Sequence, residues 1–518
     1  MSWKDEIGEL EKRRAFAREL GGAERVERQK SAGKLTIRQR IDRIADPGTF
    51  RESGATAGVG EYDESGVLQG LLPANFVCGV ASIDDRPVMV SGDDFTVRGG
   101  SNEAQIPAKR QFSERLAVEL ALPHIRLVDG MGGGGSVKMI EKYGRTMIPQ
   151  MAGWETVVEH LSIAPSVALA LGSVAGLGAA RVVTSHYSLI VEDTAQMMIA
   201  GPALVEKAGQ REVSKEELGH AKVHTRNGAI DDVVESEEEA FRRARKFLSY
   251  LPRNVHEIPP RVETSDDPSR KEEKLLEIIP RNPRQVYKMR TIVRSIFDLD
   301  SFFEIGSTWG RSVVTGLARL DGFPIALFAE DPYVYGGAWT ADASQKIVRL
   351  LDLASTFHLP VVHLEDCPGF LIGKKSEDEA TIRHGSRALA ALGQLTSPFS
   401  CVVIRKAFGV AGASNSKPGS THPRWSWPSG DWHSLPVEGG IEVAYRRELE
   451  GLNEDQYQSE LELIRKRLDR YRSPFRAAEY FEIDDVIDPR ETRRVLCDWV
   501  NLVFGSLRTG SPKFGYRP

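Results

Sequence analysis

The chain has 518 residues, of which 41% are hydrophobic and 27% charged, and its formal net charge is −5. This composition is typical of a globular protein and excludes the disordered and fibrous classes. The charge gives no indication of a nucleic-acid partner, and the length predicts roughly two to four domains, of which two large ones fit best.

The cysteines and the first residues of the chain bear on its compartment. Four cysteines are scattered along the chain, too few for a disulfide framework, so we expect buried thiols in a reducing compartment. The start, MSWKDEIGELEKRR, lacks the apolar core of a secretory signal. We therefore expect a cytoplasmic protein, or a mitochondrial matrix protein in a eukaryote, although no transit peptide is evident.

The first predicted element is a helix over residues 36–48, TIRQRIDRIADPG. Thr36 and Gln39 have the spacing of a capping box, and a proline-glycine pair ends the helix. The expected buried face comprises Ile37, Ile41 and Ile44.

Further along the chain, apolar runs typical of buried strands alternate with helical stretches. The runs are RPVMVSG, HIRLVD, SVALALG, PIALFAE, PVVHLE and CVVIRKA, and the helical stretches include NEAQIPAKRQFSERLAVELA and ADASQKIVRLLDLASTF. This alternation predicts α/β domains with mostly parallel sheets and crossover helices.

Two stretches allow other interpretations. Residues 161–180 are uncharged over the length of a membrane span, but Pro165, three glycines and three serines favour a buried strand running into a glycine-rich loop. We expect no membrane partner. Residues 125–139, IRLVDGMGGGGSVKM, match the dinucleotide pattern G-x-G-x-x-G, but a segment rich in glycine fits many such patterns.

The chain contains a duplication. Residues 79–94 align without a gap with residues 316–331, and residues 122–129 align with 359–366, so both matches share an offset of 237. This predicts two related domains, residues 1–255 and 256–518, joined within the proline-rich stretch 252–285. In the second half, the stretch that aligns with the first glycine-rich turn is DCPGFLIG, which does not match the dinucleotide pattern. Both halves also have a later glycine-rich loop, at 174–183 and 405–417, suited to an oxyanion or a phosphate.

Seven stretches, in this order, resemble the carboxyltransferase (β) subunit of biotin-dependent acyl-CoA carboxylases of the propionyl-CoA carboxylase type. They are GKLTIRQRIDRIADPGTF, DDFTVRGGS, EELGHAKVH, PGFLIG, IRHG, RKAFG and SPFRAAEYFEIDDVIDPRETR. The resemblance implies two crotonase (ClpP-like) superfamily domains and a homo-oligomer, usually a hexamer built as a trimer of dimers. It also implies transfer of CO2 from carboxybiotin to the α-carbon of an acyl-CoA.

By the same resemblance, the N-terminal domain holds acyl-CoA, the C-terminal domain of a partner subunit holds carboxybiotin, and freed biotin accepts the α-proton. No biotin-carrier or ATP-binding segment is evident, so we expect biotin on a separate biotin carboxylase/biotin carrier subunit. The CoA thioester is the substrate, and we expect no metal in this chain.

The resemblance also assigns site residues by position. The first oxyanion hole falls at Gly176-Leu177 and the second at Val410-Ala411. The expected substrate-binding residues are Gly132, Gly133, Gly134, Phe408 and Ala413.

The chain departs from the family pattern where substrate and biotin are held. The holes lack the usual Gly-Gly or Gly-Ala pair, DGMGGG at 129–134 lacks the usual arginine, and AEDP at 329–332 replaces an ANQP-like turn. The small Ala413 suits a larger or branched acyl chain. Two alternatives remain open: a biotin-independent crotonase-type acyl-CoA decarboxylase, and a non-catalytic diverged subunit of a mixed carboxylase complex.

Two further groups have simpler explanations. His220 and His224 have the spacing of a helical metal pair, but no third ligand is evident. Cys367, beside Asp366, is better explained as a packed thiol than as a nucleophile.

Overall fold

The computed structural model describes residues 2–100, 106–130, 137, 140–141, 144–146, 148, 151, 153–209 and 211–518. Two units make up this chain, the first ending at Glu257 and the second comprising Ile258–Arg517. The expected joint, 252–285, lies mostly in the second unit, where Leu275 is buried among core residues that include Tyr287.

The first unit begins with helices and then forms a sheet with helices between its strands. Its helices are α1 (Lys4–Arg18), α2 (Ala23–Ser31), α3 (Ile37–Ile44), α4 (Pro107–Glu119), α5 (Trp154–His160), α6 (Leu177–Val183), α7 (Pro202–Lys207), α8 (Lys215–Gly219), α9 (Ala221–Arg226) and α10 (Glu237–Ser249). Its strands are β1 (Arg51–Glu52), β2 (Gly58–Tyr62), β3 (Leu68–Pro73), β4 (Phe76–Ile83), β5 (Arg86–Asp93), β6 (His124–Val128), β7 (Ser166–Ala170), β8 (Ser173–Ala175), β9 (Tyr187–Val191), β10 (Gln196–Met198) and β11 (Asp232–Val234).

The main sheet of this unit has the strand order β1-β4-β5-β6-β7-β9-β11. The strands from β5 to β11 pair in parallel, whereas β1, β4 and β5 pair antiparallel. Every residue of β6 and β7 is buried, which explains why these strands read as continuous apolar runs. The predicted capping box of α3 is confirmed, and its predicted isoleucine face is buried.

The second unit repeats this plan with a longer C-terminal helical part. Its helices are α11 (Met289–Ile296), α12 (Ala341–Thr356), α13 (Lys374–Asp378), α14 (Thr381–Gln394), α15 (Gly409–Gly412), α16 (Val437–Ala444), α17 (Arg446–Leu449), α18 (Glu454–Asp469), α19 (Pro474–Glu479) and α20 (Thr492–Phe504). Its strands are β12 (Phe303–Ile305), β13 (Val313–Leu320), β14 (Phe323–Glu330), β15 (Val361–Cys367), β16 (Phe399–Phe408), β17 (Arg424–Ser426), β18 (Asp431–His433) and β19 (Asp485–Val486).

The sheet of the second unit runs β12-β13-β14-β15-β16-β17-β19, and β18 also pairs with β16. Strands β14 to β17 and β19 are parallel, while β12, β13 and β14 are antiparallel. One apolar core packs α11 and α20 against this sheet around the fully buried Trp427. The prediction of α/β domains with mostly parallel sheets is confirmed in both units.

The duplication extends to backbone detail. The hairpin β4–β5 and the hairpin β13–β14 have the same bounds at an offset of 237. Their turns match as well, because Asp84 and Asp321 both have a φ of 50°. An aspartate tolerates this left-handed conformation better than most residues, which explains its presence in both turns.

Residues 161–180 follow α5 and contain the strands β7 and β8 and the start of α6. Among the described residues, no helix is both long and apolar enough to cross a membrane. The prediction of a buried strand followed by a glycine-rich loop is therefore confirmed for this stretch.

Candidate functional site

The parallel strand β6 ends at a buried ionic network. The carboxylate of Asp129 accepts hydrogen bonds from Arg40 Nη1 at 2.9 Å and from Lys34 Nζ at 3.1 Å. Burial alone would lower the pKa of Arg40, but the carboxylates of Asp129 and Glu237 raise it above its usual value. The guanidinium therefore stays charged and fixes the end of β6 beside the glycine-rich turn.

The first predicted oxyanion hole lies where β8 meets α6. Gly176 has a φ of 57° and a ψ of −124°, a conformation that side chains disfavour. Its N–H donates to the Met198 carbonyl at 3.2 Å. The Gly176 N–H is thus already paired, whereas the first-turn N–H groups of Leu177 and Gly178 have no acceptor within their helix. The hole at Gly176-Leu177 stays a prediction, and Leu177 is its member whose N–H has no acceptor within the helix.

Three predicted substrate-binding glycines, Gly132, Gly133 and Gly134, lie outside the described residues. In the first unit, the described residues form a cavity of about 390 Å³. Its basic lining residues are Arg25, Arg28, Lys34 and Arg98. No carboxylate is found among the described residues that line it. A positive cavity of this kind attracts phosphate groups.

The second unit has an equivalent strand-end network. Asp366 accepts hydrogen bonds from Arg405 Nη2 at 2.9 Å and from the Tyr287 hydroxyl at 2.8 Å. It also accepts the Lys406 backbone N–H at 3.1 Å, which ties β15 to the end of β16. Arg405 lies over the Tyr287 ring, 4.8 Å from the ring centre. The charge of Arg405 is therefore stabilised both by the carboxylate of Asp366 and by the face of the Tyr287 ring.

The second predicted oxyanion hole is the turn α15, directly after β16. Gly409 begins it with a φ of 62°, and Val410 is 59% exposed while Ala411 is buried. A Cβ on Gly412 would lie 2.6 Å from the Ala407 backbone carbon, so only glycine allows this close approach. The N–H groups of Val410 and Ala411 begin a helical turn and have no acceptor within it.

A cavity of about 310 Å³ lies beside this turn. Ala413 lines it together with Asn415 of the same segment and Trp432 of β18. The predicted substrate-binding residue Phe408 is only 3% exposed. Its side chain is therefore enclosed by protein, whereas Ala413 lines the cavity.

The PGFLIG and IRHG stretches meet at one packed contact. The Phe370 ring packs edge-on against Trp339 with 6.2 Å between ring centres. A Cβ on Gly385 would lie 2.1 Å from the Phe370 ring. Gly385 is therefore required so that helix α14 can approach the loop after β15.

The two histidines with metal-pair spacing, and the cysteine beside Asp366, have structural roles. His220 caps α9 by accepting the Lys222 N–H, and His224 bonds the Met197 carbonyl, so neither is aimed at a shared ion. Burial raises the pKa of the Cys367 thiol well above its usual value, as expected of a packed thiol and not of a nucleophile.

One potential metal-ligand set exists among the described residues: His363, Glu365 and Cys401, all buried. No spacing motif in the sequence indicates it, because the ligands come from the two neighbouring strands β15 and β16. The sequence does not reveal the basic cavity of the first unit either, because its lining residues come from separate segments, around Arg25 and around Arg98.

Comparison with known proteins agrees with this arrangement. The chain matches the carboxyl transferase domain family over residues 28–512. It is 32% identical over 504 residues to the propionyl-CoA carboxylase carboxyltransferase subunit of Haloferax mediterranei, covering 96% of both chains. It is 30% identical over 530 residues to the biotin-dependent acetyl-/propionyl-coenzyme A carboxylase beta5 subunit of Mycobacterium leprae, covering 98% of this chain and 94% of the relative.

Among solved structures, the chain resembles transcarboxylase 12S, described as a hexamer assembly with methylmalonyl-coenzyme A and methylmalonic acid bound. The TM-score is 0.87 at 28% identity, covering 100% of this chain and 99% of that chain. The predicted crotonase-like carboxyltransferase fold is confirmed. The chain therefore belongs to the carboxyl transferase domain family and is a carboxyltransferase of the propionyl-CoA carboxylase type.

Proposed function

We propose that this chain moves CO2 from carboxybiotin, carried by a separate subunit, to the α-carbon of an acyl-CoA by means of two backbone oxyanion sites. The observation that carries the proposal is the pair of helix-starting turns, one per unit. The first turn follows the short strand β8, which comes directly after β7, the parallel neighbour of β6; the second turn directly follows β16, the parallel neighbour of β15. The first turn offers the backbone N–H groups of Leu177 and Gly178, and the second turn offers those of Val410 and Ala411.

The chemistry requires two anions to be stabilised. Negative charge develops on the thioester oxygen of the acyl-CoA and on the ureido oxygen of biotin. Carboxybiotin supplies the CO2, and biotin then accepts the α-proton, so the chain needs no side-chain base. Its N–H groups hold the two oxygens, and one such donor is worth roughly 3 to 4 kcal/mol of transition-state stabilisation. Gly176 contributes its backbone conformation, since its own N–H is bound to Met198.

We assign the acyl-CoA to the first unit. The cavity lined by Arg25, Arg28 and Arg98 supports this assignment, because CoA carries three phosphate groups that a positive cavity would bind. The predicted site at Gly132–Gly134 stays part of the proposal. The second unit then holds the biotin at the Val410-Ala411 turn, above the buried ring of Phe408.

We also propose that the chain acts in a homo-oligomer, a hexamer, with a partner that carries biotin. The support is the 12S relative, which is described as a hexamer. Its compartment, on this proposal, is the cytoplasm or the mitochondrial matrix. The four cysteines support a reducing compartment, since all are free and buried.

The experiment is ATP-dependent incorporation of labelled bicarbonate into a panel of acyl-CoAs. The full chain is purified with whatever biotinylated subunit accompanies it. Carboxylated acyl-CoA is the expected result, and avidin should abolish it. Release of CO2 from a carboxylated acyl-CoA without any biotinylated protein would instead favour the decarboxylase, and an inactive complex that regains activity with a paralogous subunit would favour the non-catalytic role.

A further inference from the structure

A buried polar cluster lies on the face of the second sheet beside the α15 turn. Strands β15 and β16 pair in parallel with His363 opposite Cys401 and Glu365 opposite Val403. Residues two apart in a strand share a face, so His363, Glu365 and Cys401 project to the same side. The side chains of His363 and Glu365 and the whole of Cys401 have no solvent exposure.

Three potential ligand atoms converge in this cluster. Cys401 Sγ lies 3.8 Å from His363 Nδ1 and 3.8 Å from Glu365 Oε2. All three atoms lie within 4.8 Å of one another. Zinc bonds of about 2.0 to 2.3 Å in a tetrahedral arrangement place neighbouring ligand atoms roughly 3.3 to 3.8 Å apart. The three side chains are therefore close to zinc-binding geometry.

The second ring nitrogen of His363, Nε2, has the carboxylate partner that is usual for a zinc-bound histidine. Nε2 lies 3.0 and 3.1 Å from the two carboxylate oxygens of Glu330. Glu330 also accepts the Trp339 Nε1–H at 3.0 Å and the Asp366 backbone N–H at 2.9 Å, so its carboxylate acts as an acceptor and takes the Nε2–H of His363. A carboxylate that accepts the distal N–H of a metal-bound histidine fixes the ring and its tautomer.

This tautomer leaves the centre of the cluster rich in acceptors. Nδ1 then carries a lone pair, and it faces the Ser414 carbonyl at 3.3 Å as well as Cys401. Glu365 Oε1 is buried and has no hydrogen-bond partner in the described chain. The one thiol proton of Cys401 cannot satisfy all of these acceptors. A cation at their centre would satisfy them together.

The charges also suit a divalent ion. Glu330 and Glu365 are both fully buried in this cluster, and a second buried carboxylate without a cation is costly. A Zn²⁺ ion bound to one carboxylate, one thiolate and a neutral imidazole gives a site without net charge. The mixture of sulfur, nitrogen and oxygen ligands favours zinc over magnesium or calcium.

We propose that His363 Nδ1, Glu365 Oε2 and Cys401 Sγ bind a structural zinc ion, with the Ser414 carbonyl as the fourth ligand. Binding releases the thiol proton of Cys401, and any carboxyl proton of Glu365, to solvent as the site forms during folding. The ion would join β15, β16 and the segment after the Val410-Ala411 turn. This site replaces the sequence-based expectation of a metal-free chain, and it does not depend on the proposed carboxyl transfer.

The test is the metal content of the full chain, expressed in zinc-supplemented medium and dialysed without chelator. Elemental mass spectrometry should find about one zinc per chain in the wild type and less than about a tenth in C401S and E365Q. C497S is the matched control, because Cys497 is a buried thiol of the same unit away from this cluster, and it should keep its zinc.

A second readout identifies the ligands. The cobalt-substituted wild type should show a thiolate-to-cobalt absorption band in the near ultraviolet. The band should be weakened or lost in E365Q and absent in C401S. Wild-type protein with less than about a tenth of a zinc per chain would overturn the proposal, even if the variants fail to fold. Full zinc in folded C401S would overturn it equally.

Discussion

Asp93 and Glu330 make the same contact in the two halves of the chain. The Asp93 carboxylate accepts the backbone N–H of Asp129 at 3.2 Å, and the Glu330 carboxylate accepts the backbone N–H of Asp366 at 2.9 Å. The cations that neutralise the two strand-end aspartates come from unrelated places, since Arg40 precedes the first sheet whereas Arg405 belongs to β16. The duplication therefore preserved the carboxylates and the backbone but not their cations.

The first prediction concerns this buried charge. Asp129→Asn removes one of the two carboxylates that pair with the fully buried Arg40, so that Glu237 alone remains to balance the charges of Arg40 and Lys34. Breaking one half of a buried pair costs about 3 to 5 kcal/mol. Urea unfolding should show this loss. The exposed pair of Lys374 and Asp378 gives a control, because Asp378→Asn should change the free energy of unfolding by less than about 0.5 kcal/mol. Equal effects of the two variants would contradict the role assigned to the network.

The second prediction tests the donor at the first turn. Leu177 is the first residue of α6, a position where proline fits because its N–H has no acceptor within the helix. Leu177→Pro should lower kcat for acyl-CoA carboxylation by about 10²- to 10³-fold with little change in the melting temperature. Leu177→Ala removes the same side chain but keeps the N–H, so it should retain most activity. A proline variant as active as the alanine variant would exclude this N–H as an oxyanion donor.

The sequence predicted local structure better than long-range pairing. Thr36 with Gln39 predicted the cap of α3, and the aligned halves predicted both hairpins, because these signals reside in neighbouring residues. The sequence could not show that the Gly176 N–H is bound by the Met198 carbonyl of β10, because this contact joins distant segments. The ligand set of His363 and Cys401 was missed for the same reason.

A third prediction uses two glycines of α14 as a matched pair. A Cβ at Gly385 would lie 2.1 Å from the Phe370 ring, while a Cβ at Gly393 meets nothing within 4 Å. Gly385→Ala should therefore destabilise the chain by about 1 to 3 kcal/mol through overpacking. Gly393→Ala should leave stability unchanged or raise it by up to about 1 kcal/mol, because alanine is the better helix former. Denaturant unfolding compares the two variants. An unchanged free energy of unfolding in G385A would show that the Phe370 ring can move aside without cost.

The fourth prediction concerns the acyl group. Ala413 lines the cavity of about 310 Å³ beside the second turn, so Ala413→Leu should reduce the space there. We expect the ratio of kcat/KM between long and short acyl-CoAs to fall by about 10-fold or more, since one or a few methylene groups are worth about 1 to 3 kcal/mol in such a pocket. Ala444→Leu is the control, because Ala444 is exposed at the end of α16. An unchanged ratio in A413L would place the acyl chain elsewhere.

The last prediction is a pH dependence of stability that arises from His160. This ring is fully buried, and its Nε2–H donates to the Leu122 carbonyl at 2.8 Å. Burial, and then the charge of Arg126, lower the pKa of His160 to about 3, below the value of about 6.5 that it has when unfolded. Between these values the unfolded chain binds a proton that the folded chain does not, so stability falls as the pH falls below about 6.5.

The expected loss from His160 between pH 7.5 and pH 5 is about 2 kcal/mol, from roughly 1.5 pH units at 1.36 kcal/mol each. His160→Gln keeps a donor for the Leu122 carbonyl but cannot titrate, so its free energy of unfolding should fall less over this range than that of the wild type. His256→Gln, at an exposed position of the same unit, should follow the wild-type curve. Urea unfolding at several pH values compares the three proteins, and parallel curves for H160Q and the wild type would mean that His160 is protonated in the folded chain.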